Sequence, residues 1–405
     1  MSGAPGAGPH IFLVAGEESG DRLGAALIAA IDKRSQGRAR YSGVGGTHMA
    51  DAGLASLFPL GDLAIIGFAA IPASLPRILK RIRQTADAVI AAKPDALVII
   101  DIPEFTHRVA RRVRARMPAL PVVDYVCPSV WAWRPGRARA MRAYVDRVLA
   151  LFPFEPEVMR RLGGPACTFV GHPLGERVAS LRPNAEEVRR RLSAPPLVLV
   201  LPGSRAGEIR RMADVFGAAA AKVAERAGPL DVVVPAVPRL LGAVQAAVNS
   251  WPVAARIVTD PAEKDLAFRT ARAALAKSGT STLELALAGI PMVAAYKVPL
   301  LEELLARQLI KVQSVILANL VLGENVVPEL LQRDFTADRL AAALLPLLSD
   351  SPERRRQIDA FARLDGLMEI GRAAPSDRAA AVVLDCAGGL NQPEREMVAS
   401  GPPTA

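Results

Sequence analysis

The sequence predicts an α/β protein of two domains, each a parallel sheet covered by helices. Three observations carry that prediction. Strand-like and helix-like segments alternate along nearly the whole chain, as in sheets whose crossovers are helices. The strand segments read as continuous apolar runs rather than alternating ones, as expected of strands buried on both faces. At 405 residues, 51% of them hydrophobic, the chain exceeds one ordinary core, so two domains of roughly 170 to 190 residues are the default.

In chain order, His10 to Val14 reads as a first strand, followed by a turn and a helix from Asp21 to Lys33. Pro94 to Ile100 is a second buried strand, with a helix from about Thr106 to Met117, and Pro121 to Val126 is a third. Arg147 to Leu151 and Thr168 to Val170 are short strands, and Gly171-His172-Pro173-Leu174 is a turn. The chain becomes polar and helical from Pro183 to Leu192, which puts the domain junction near 172 to 190. The second half repeats the arrangement, with strands at Leu197-Leu201, Asp231-Val234, Arg256-Val258, Ala273-Ala276 and Met292-Tyr296. Helical segments follow Asp334. The domains are therefore 1–175, 176–350, a helical segment 351–388 returning to the first, and a disordered tail 389–405. Two Rossmann-like domains facing a cleft are the expected architecture.

Two turns in the second half are candidate anion sites. Lys277-Ser278-Gly279-Thr280-Ser281-Thr282-Leu283-Glu284 opens a helix with small residues, and such an opening presents unpaired N–H groups to a phosphate. Glu284 lies one turn after Thr280, placed to meet a sugar hydroxyl. Ser278 acting only as a helix cap is the plainer reading. The second turn ends the apolar run Leu197 to Leu201, where Pro202-Gly203 delivers Ser204 and Arg205 at a strand's carboxyl end. Ligands of open α/β sheets sit there, and an arginine fork suits a diphosphate. An ordinary salt bridge is the alternative for Arg205.

First-half loops offer carboxylates. Glu17, Glu18, Ser19 and Asp21 stand where a dinucleotide fold would carry its glycine fingerprint, and the carboxylates of Glu17, Glu18 and Asp21 would repel a pyrophosphate. They suit sugar hydroxyls, or Ser19 or Asp21 caps the helix. Asp101 ends an otherwise apolar strand ahead of Pro103, so it is expected to be rigid and partly desolvated. A raised pKa would let it take a proton from a hydroxyl nucleophile; Glu104 is the alternative base, and capping the next helix is the alternative for Asp101. Trp131 and Trp133 lie in a loop beside Pro128, Ser129 and Arg134, and either pack a domain edge or stack on sugar rings or lipid chains. Leu63 to Pro72 is apolar and leads into the basic amphipathic run Leu75 to Arg83, which fits an anionic leaflet or a core segment with a solvated basic face.

Composition narrows the classes. The net charge of +10 points to an anionic partner, and with only 4% aromatic residues a membrane surface or phosphorylated substrate fits better than nucleic acid. Cys127, Cys167 and Cys386 form no disulfide framework, which fits a reducing cytosol. His10, His48, His107 and His172 show no metal-ligand spacing, so metal-free chemistry without a cofactor is expected. The start of the chain lacks a secretory signal, and no apolar run reaches the 18 or so residues that span a bilayer.

Ala15-Gly16-Glu17 with Ser19-Gly20-Asp21, Asp101-x-Pro103-x-Phe105, Pro128-Ser129-Val130-Trp131-Ala132-Trp133-Arg134, Gly171-His172, Leu201-Pro202-Gly203-Ser204-Arg205 and Ser278-Gly279-Thr280 occur in that order. With these motifs the chain resembles the lipid-A-disaccharide synthases over residues from about 10 to 385. The resemblance implies a GT-B glycosyltransferase that joins UDP-2,3-diacylglucosamine to 2,3-diacylglucosamine 1-phosphate (lipid X) with inversion. It implies Asp101 as general base, Arg205 as a catalytic residue at the UDP diphosphate, and Glu284 at the ribose. Gly203, Ser204, Ser278, Gly279, Thr280 and Asn319 are implied on the donor side, and Glu17, Ser19, Asp21, Glu104, Trp131 and Trp133 on the acceptor or cleft side. It further implies a peripheral position on the cytoplasmic face of the inner membrane, and the family includes homodimers. The chain departs from the pattern at Glu104, often Asp, at Thr106, where Asn is usual, and at Cys127, where a serine is expected; neither of the first two changes the residue at position 101 itself. Other GT-B UDP-GlcNAc-type transferases or epimerases, and a non-catalytic UDP-lipid-binding protein, remain as alternative readings.

Overall fold

The structure, a computed structural model, describes residues 8–63, 71–299 and 314–388. The chain divides into two compact units, Met1–Pro173 with Arg372–Ala405, and Leu174–Gly371.

In the first unit six strands form one parallel sheet: β1 (His10–Ala15), β2 (Arg40–Val44), β3 (Ala96–Ile100), β4 (Val122–Tyr125), β5 (Arg147–Ala150) and β6 (Ala166–Phe169). Their spatial order is β2-β1-β3-β4-β5-β6. β3 is buried at every residue, which is why it reads as an unbroken apolar run. The helices covering this sheet include α1 (Glu18–Ser35), α2 (Thr47–Asp51), α3 (Ile71–Ala92) and α4 (Pro103–Arg116). Phe12, Val14 and Ile99 from the sheet pack with Phe105, Val109 and Val113 of α4 in one core. The helix Pro375–Cys386 lies on α1, where Asp377 is 3.6 Å from Lys33.

The second unit repeats the plan with β7 (Leu197–Leu201), β8 (Asp231–Pro235), β9 (Ala255–Val258), β10 (Ala273–Lys277), β11 (Met292–Tyr296) and β12 (Glu329–Leu331). The order is β12-β11-β10-β7-β8-β9, again all parallel. Val198, Val200, Leu275 and Val293 pack against Ile209 and Phe216 of a long helix, Ala206–Ala227.

Four details differ from expectation. β2 and β12 were not anticipated: both are edge strands, β2 half-solvated and polar in sequence, β12 only three residues long. The helix after β3 begins at Pro103 rather than near Thr106, because proline is well placed in a first turn where no N–H is needed. The first helix likewise begins at Glu18, ahead of Asp21. Residues 64–70, in the apolar part of the 63–83 segment, and the tail 389–405 lie outside the described residues. Within α3, Leu75 (44% exposed), Arg77, Lys80 and Arg83 face outward while Ile82 is buried. Among the described residues no helix is long and apolar enough to cross a membrane.

Candidate active site

Strand order locates the ligand side of each sheet. In the first, the chain runs from β1 outward to β2 and then crosses to β3 on the other flank, so the reversal lies between the carboxyl ends of β1 and β3. Those ends carry Glu17 to Asp21 and Asp101. In the second, β8 and β9 lie on one flank of β7 and β10 on the other, so the reversal falls between β7 and β10. There Gly203 to Arg205 and Lys277 to Thr280 emerge side by side.

Asp101 sits on a strained corner. Both Asp101 (φ 55°) and Ile102 (φ 40°) adopt left-handed backbone, a conformation costing about 1–3 kcal/mol for such residues. The corner is held in several ways. The Ile102 N–H donates to Asp101 Oδ1 at 2.8 Å, and the Thr106 hydroxyl donates to the Asp101 carbonyl at 2.7 Å. Gly16 leaves the room Ile102 needs, since a Cβ there would stand 2.9 Å from the Ile102 Cβ. The helix that follows has Ile102 as its N-cap with no side-chain cap, so the capping reading of Asp101 is replaced by one in which it grips its own corner. Burial raises the carboxyl above its ordinary pKa; the Ile102 N–H opposes this, and nearby Glu17 adds to it. The Ser19 hydroxyl, 3.4 Å from Asp101 Oδ2, donates to Glu17 Oε1 at 2.7 Å.

Glu104 points elsewhere. Its Oε1 accepts from Arg137 Nη2 at 2.6 Å and lies 3.7 Å from Arg134 Nη1. Burial pushes this carboxyl up, but the Arg137 hydrogen bond and the surrounding arginines hold it below the usual value, the wrong direction for a base.

Asp21 is corrected. It is 2% exposed and accepts from the backbone N–H groups of Gly46 (2.6 Å), His48 (2.9 Å) and Met49 (3.1 Å). It caps α2, not its own helix, and has no face left for a sugar hydroxyl. Trp131 donates through Nε1 to Glu155 Oε1 at 3.3 Å and packs edge-on against Phe154. Glu155, unanticipated from sequence, is buried and also accepts from Leu151 and Phe152 N–H; burial pushes its pKa up to about 7. Trp133 lies under the Arg134 guanidinium at 4.4 Å, with Arg137 at 5.5 Å.

In the second unit Gly203 takes φ 137°, and a Cβ there would stand 2.5 Å from the Glu208 Cβ, so only glycine fits. Glu208, 3% exposed, accepts from the Ser204 N–H at 2.9 Å and lies 3.1 Å from Lys277 Nζ. The Arg205 side chain is 79% exposed and 3.7 Å from the same carboxylate. Ser278 does not cap the next helix (Thr280–Leu287), whose N-cap is Gly279; its hydroxyl donates to the Val315 carbonyl at 3.0 Å. The expected cap is therefore replaced by a tether between two loops, and the first N–H groups of the Thr280–Leu287 helix have no side-chain acceptor at the cap. Thr280 is exposed, while Glu284, one turn on, is buried and 3.5 Å from Arg177 Nη1.

Asn319 also differs from expectation. It is 1% exposed; Nδ2 donates to the Val327 carbonyl and to Glu329 Oε1, each at 3.0 Å. Oδ1 accepts from Val326 and Val327 N–H at 3.1 and 2.9 Å. All four hydrogen-bonding positions of the amide are spent on the chain, so Asn319 holds the 326–329 segment instead of presenting a free polar group. The sequence missed Glu208, though a glutamate three residues after Arg205 has capping-box spacing.

Two parallel sheets, each with its candidate loops at a strand-order reversal, define a GT-B-class α/β protein. A UDP-GlcNAc 2-epimerase from Neisseria meningitidis has this fold, with a TM-score of 0.58, 11% identity and coverage of 93% of this chain and 98% of that one. CalG4, the calicheamicin glycosyltransferase, has a TM-score of 0.57 at 17% identity, covering 94% and 98%. A profile described as lipid-A-disaccharide synthetase matches residues 11–382. The lipid-A-disaccharide synthase of Nitrobacter hamburgensis is 59% identical over 385 residues, covering 95% of this chain and 97% of that one. The chain belongs to the lipid-A-disaccharide synthetase family and is a glycosyltransferase.

Proposed function

We propose that the chain transfers the diacylglucosamine unit of UDP-2,3-diacylglucosamine to the 6-hydroxyl of 2,3-diacylglucosamine 1-phosphate, giving a β-1,6-linked disaccharide 1-phosphate and UDP. The family match over residues 11–382 supports the reaction. The observation that carries the mechanism is the half-buried Asp101 carboxyl, raised in pKa and fixed on a rigid corner.

In this reading the acceptor hydroxyl gives its proton to Asp101 while its oxygen attacks the anomeric carbon opposite UDP. The bond from that carbon to the β-phosphate oxygen breaks, and its electron pair leaves with UDP. Inversion follows from the single in-line displacement. Arg205 and the N–H groups around Gly203, Ser204, Ser278, Gly279 and Thr280 take up the charge of the diphosphate, and Glu284 binds the ribose. The outward Leu75, Arg77, Lys80 and Arg83 support a peripheral place on an anionic inner leaflet.

A mass-spectrometric transfer assay with the purified protein and both lipid precursors tests the reading. Disaccharide 1-phosphate and UDP should appear in equal amounts. Folded protein that makes neither, or that prefers non-acylated UDP-glucosamine derivatives, overturns it.

A further inference from the structure

We infer that Lys277 is a second cation for the leaving diphosphate, held beside the Arg205 loop by the buried carboxylate of Glu208. The inference rests on the proposed nucleotide site at residues 203–205 and 278–280. Leu201 pairs with Ala276 across β7 and β10, so Lys277, the next residue, comes level with Pro202 and its nitrogen reaches the Gly203-Arg205 turn. Nζ stands 3.1 Å from Glu208 Oε1 and 5.0 Å from the centre of the Tyr296 ring.

The wiring is specific. Glu208 Oε2 accepts from the Ser204 N–H at 2.9 Å, so one buried side chain sets the phosphate turn and anchors Lys277. Glu208 Oε1 is buried, and Lys277 Nζ at 3.1 Å meets it as an ion pair. Arg205 Nη1 lies 3.7 Å from the same carboxylate. Two cations around one carboxylate leave a net positive charge at the strand ends, complementary to a diphosphate. Without Glu208 the two cations would repel each other there. When the bond from the anomeric carbon to the β-phosphate oxygen breaks, the electron pair moves onto that oxygen, and a nearby ammonium stabilises the charge that develops there.

Lys277→Met tests this, because methionine keeps the apolar stem against Tyr296 and removes the charge. Calorimetric binding of UDP, UMP and uridine is compared with kcat and KM. UDP affinity and kcat should each fall about 10- to 100-fold, uridine affinity should change by less than about twofold, and Lys277→Arg should recover much of the loss. Lys277→Gln serves the same comparison if the methionine variant does not fold. A folded variant that binds UDP as tightly as wild type with unchanged kcat, or that loses uridine as strongly as UDP, overturns the inference and leaves the donor site standing. Wild-type protein that fails to bind UDP removes both.

Discussion

Arg137 grips Glu104 at 2.6 Å, while Asp101, three residues earlier, has no arginine on its carboxylate among the described residues. That difference separates two acids that are nearly equivalent in sequence. One is held ionised and weakly basic, and the other is pushed toward its protonated form by burial and by Glu17.

Asp101→Asn is therefore expected to lower kcat by about 10²- to 10⁴-fold while UDP binding stays near wild type. Steady-state kinetics paired with calorimetry reads this out. Retained turnover would remove Asp101 from the base role.

Glu17→Gln should move the acid limb of the kcat/KM profile to lower pH. The base works only when ionised, so the rate falls as pH drops through the folded pKa of Asp101, which Glu17 helps to raise. An unmoved limb would show that Asp101 titrates independently of Glu17.

Glu104→Gln should reduce kcat only severalfold, by loosening Arg134 and Arg137 over the Trp133 ring. A loss as large as that of Asp101→Asn would transfer the base to Glu104.

Burial lifts Glu155 from 4.5 to about 7, so folding favours its protonated form. The stability this confers is complete below about pH 4.5 and is lost as pH rises to about 7, a change on the order of 3 kcal/mol. Melting temperatures across that window should fall in wild type relative to Glu155→Gln, and Trp131 fluorescence should titrate in wild type alone. Parallel melting curves for the two proteins would count against it.

Asp21→Ala strips the shared acceptor from three N–H groups at the start of α2. It should destabilise the protein by about 1–3 kcal/mol in urea melts, with kcat unchanged in the protein that remains folded. A stable variant with impaired turnover would return Asp21 to the acceptor site.

The central strands were legible because burial on both faces leaves an apolar signature, as in Leu197 to Leu201, found with the same bounds in sequence and structure. Edge strands such as Arg40–Val44 carry no such signature. Motifs singled out the candidate turns, since a strand end, a glycine and a polar residue are local features. Which carboxylate does what depends on distant partners. Asp21 serves N–H groups more than twenty residues away, Glu104 answers to Arg137, and Asn319 is consumed by Val326, Val327 and Glu329. No spacing rule reads such pairings.

The left-handed corner at Asp101 and Ile102 also bears on where this protein could gain resistance to heat. A glycine at position 102 would relax the backbone, but it would also free the carboxylate to wander. Under the proposed base role, added heat resistance in this protein belongs in the sheet cores and outer helices and not at this corner, because relief there would cost rate.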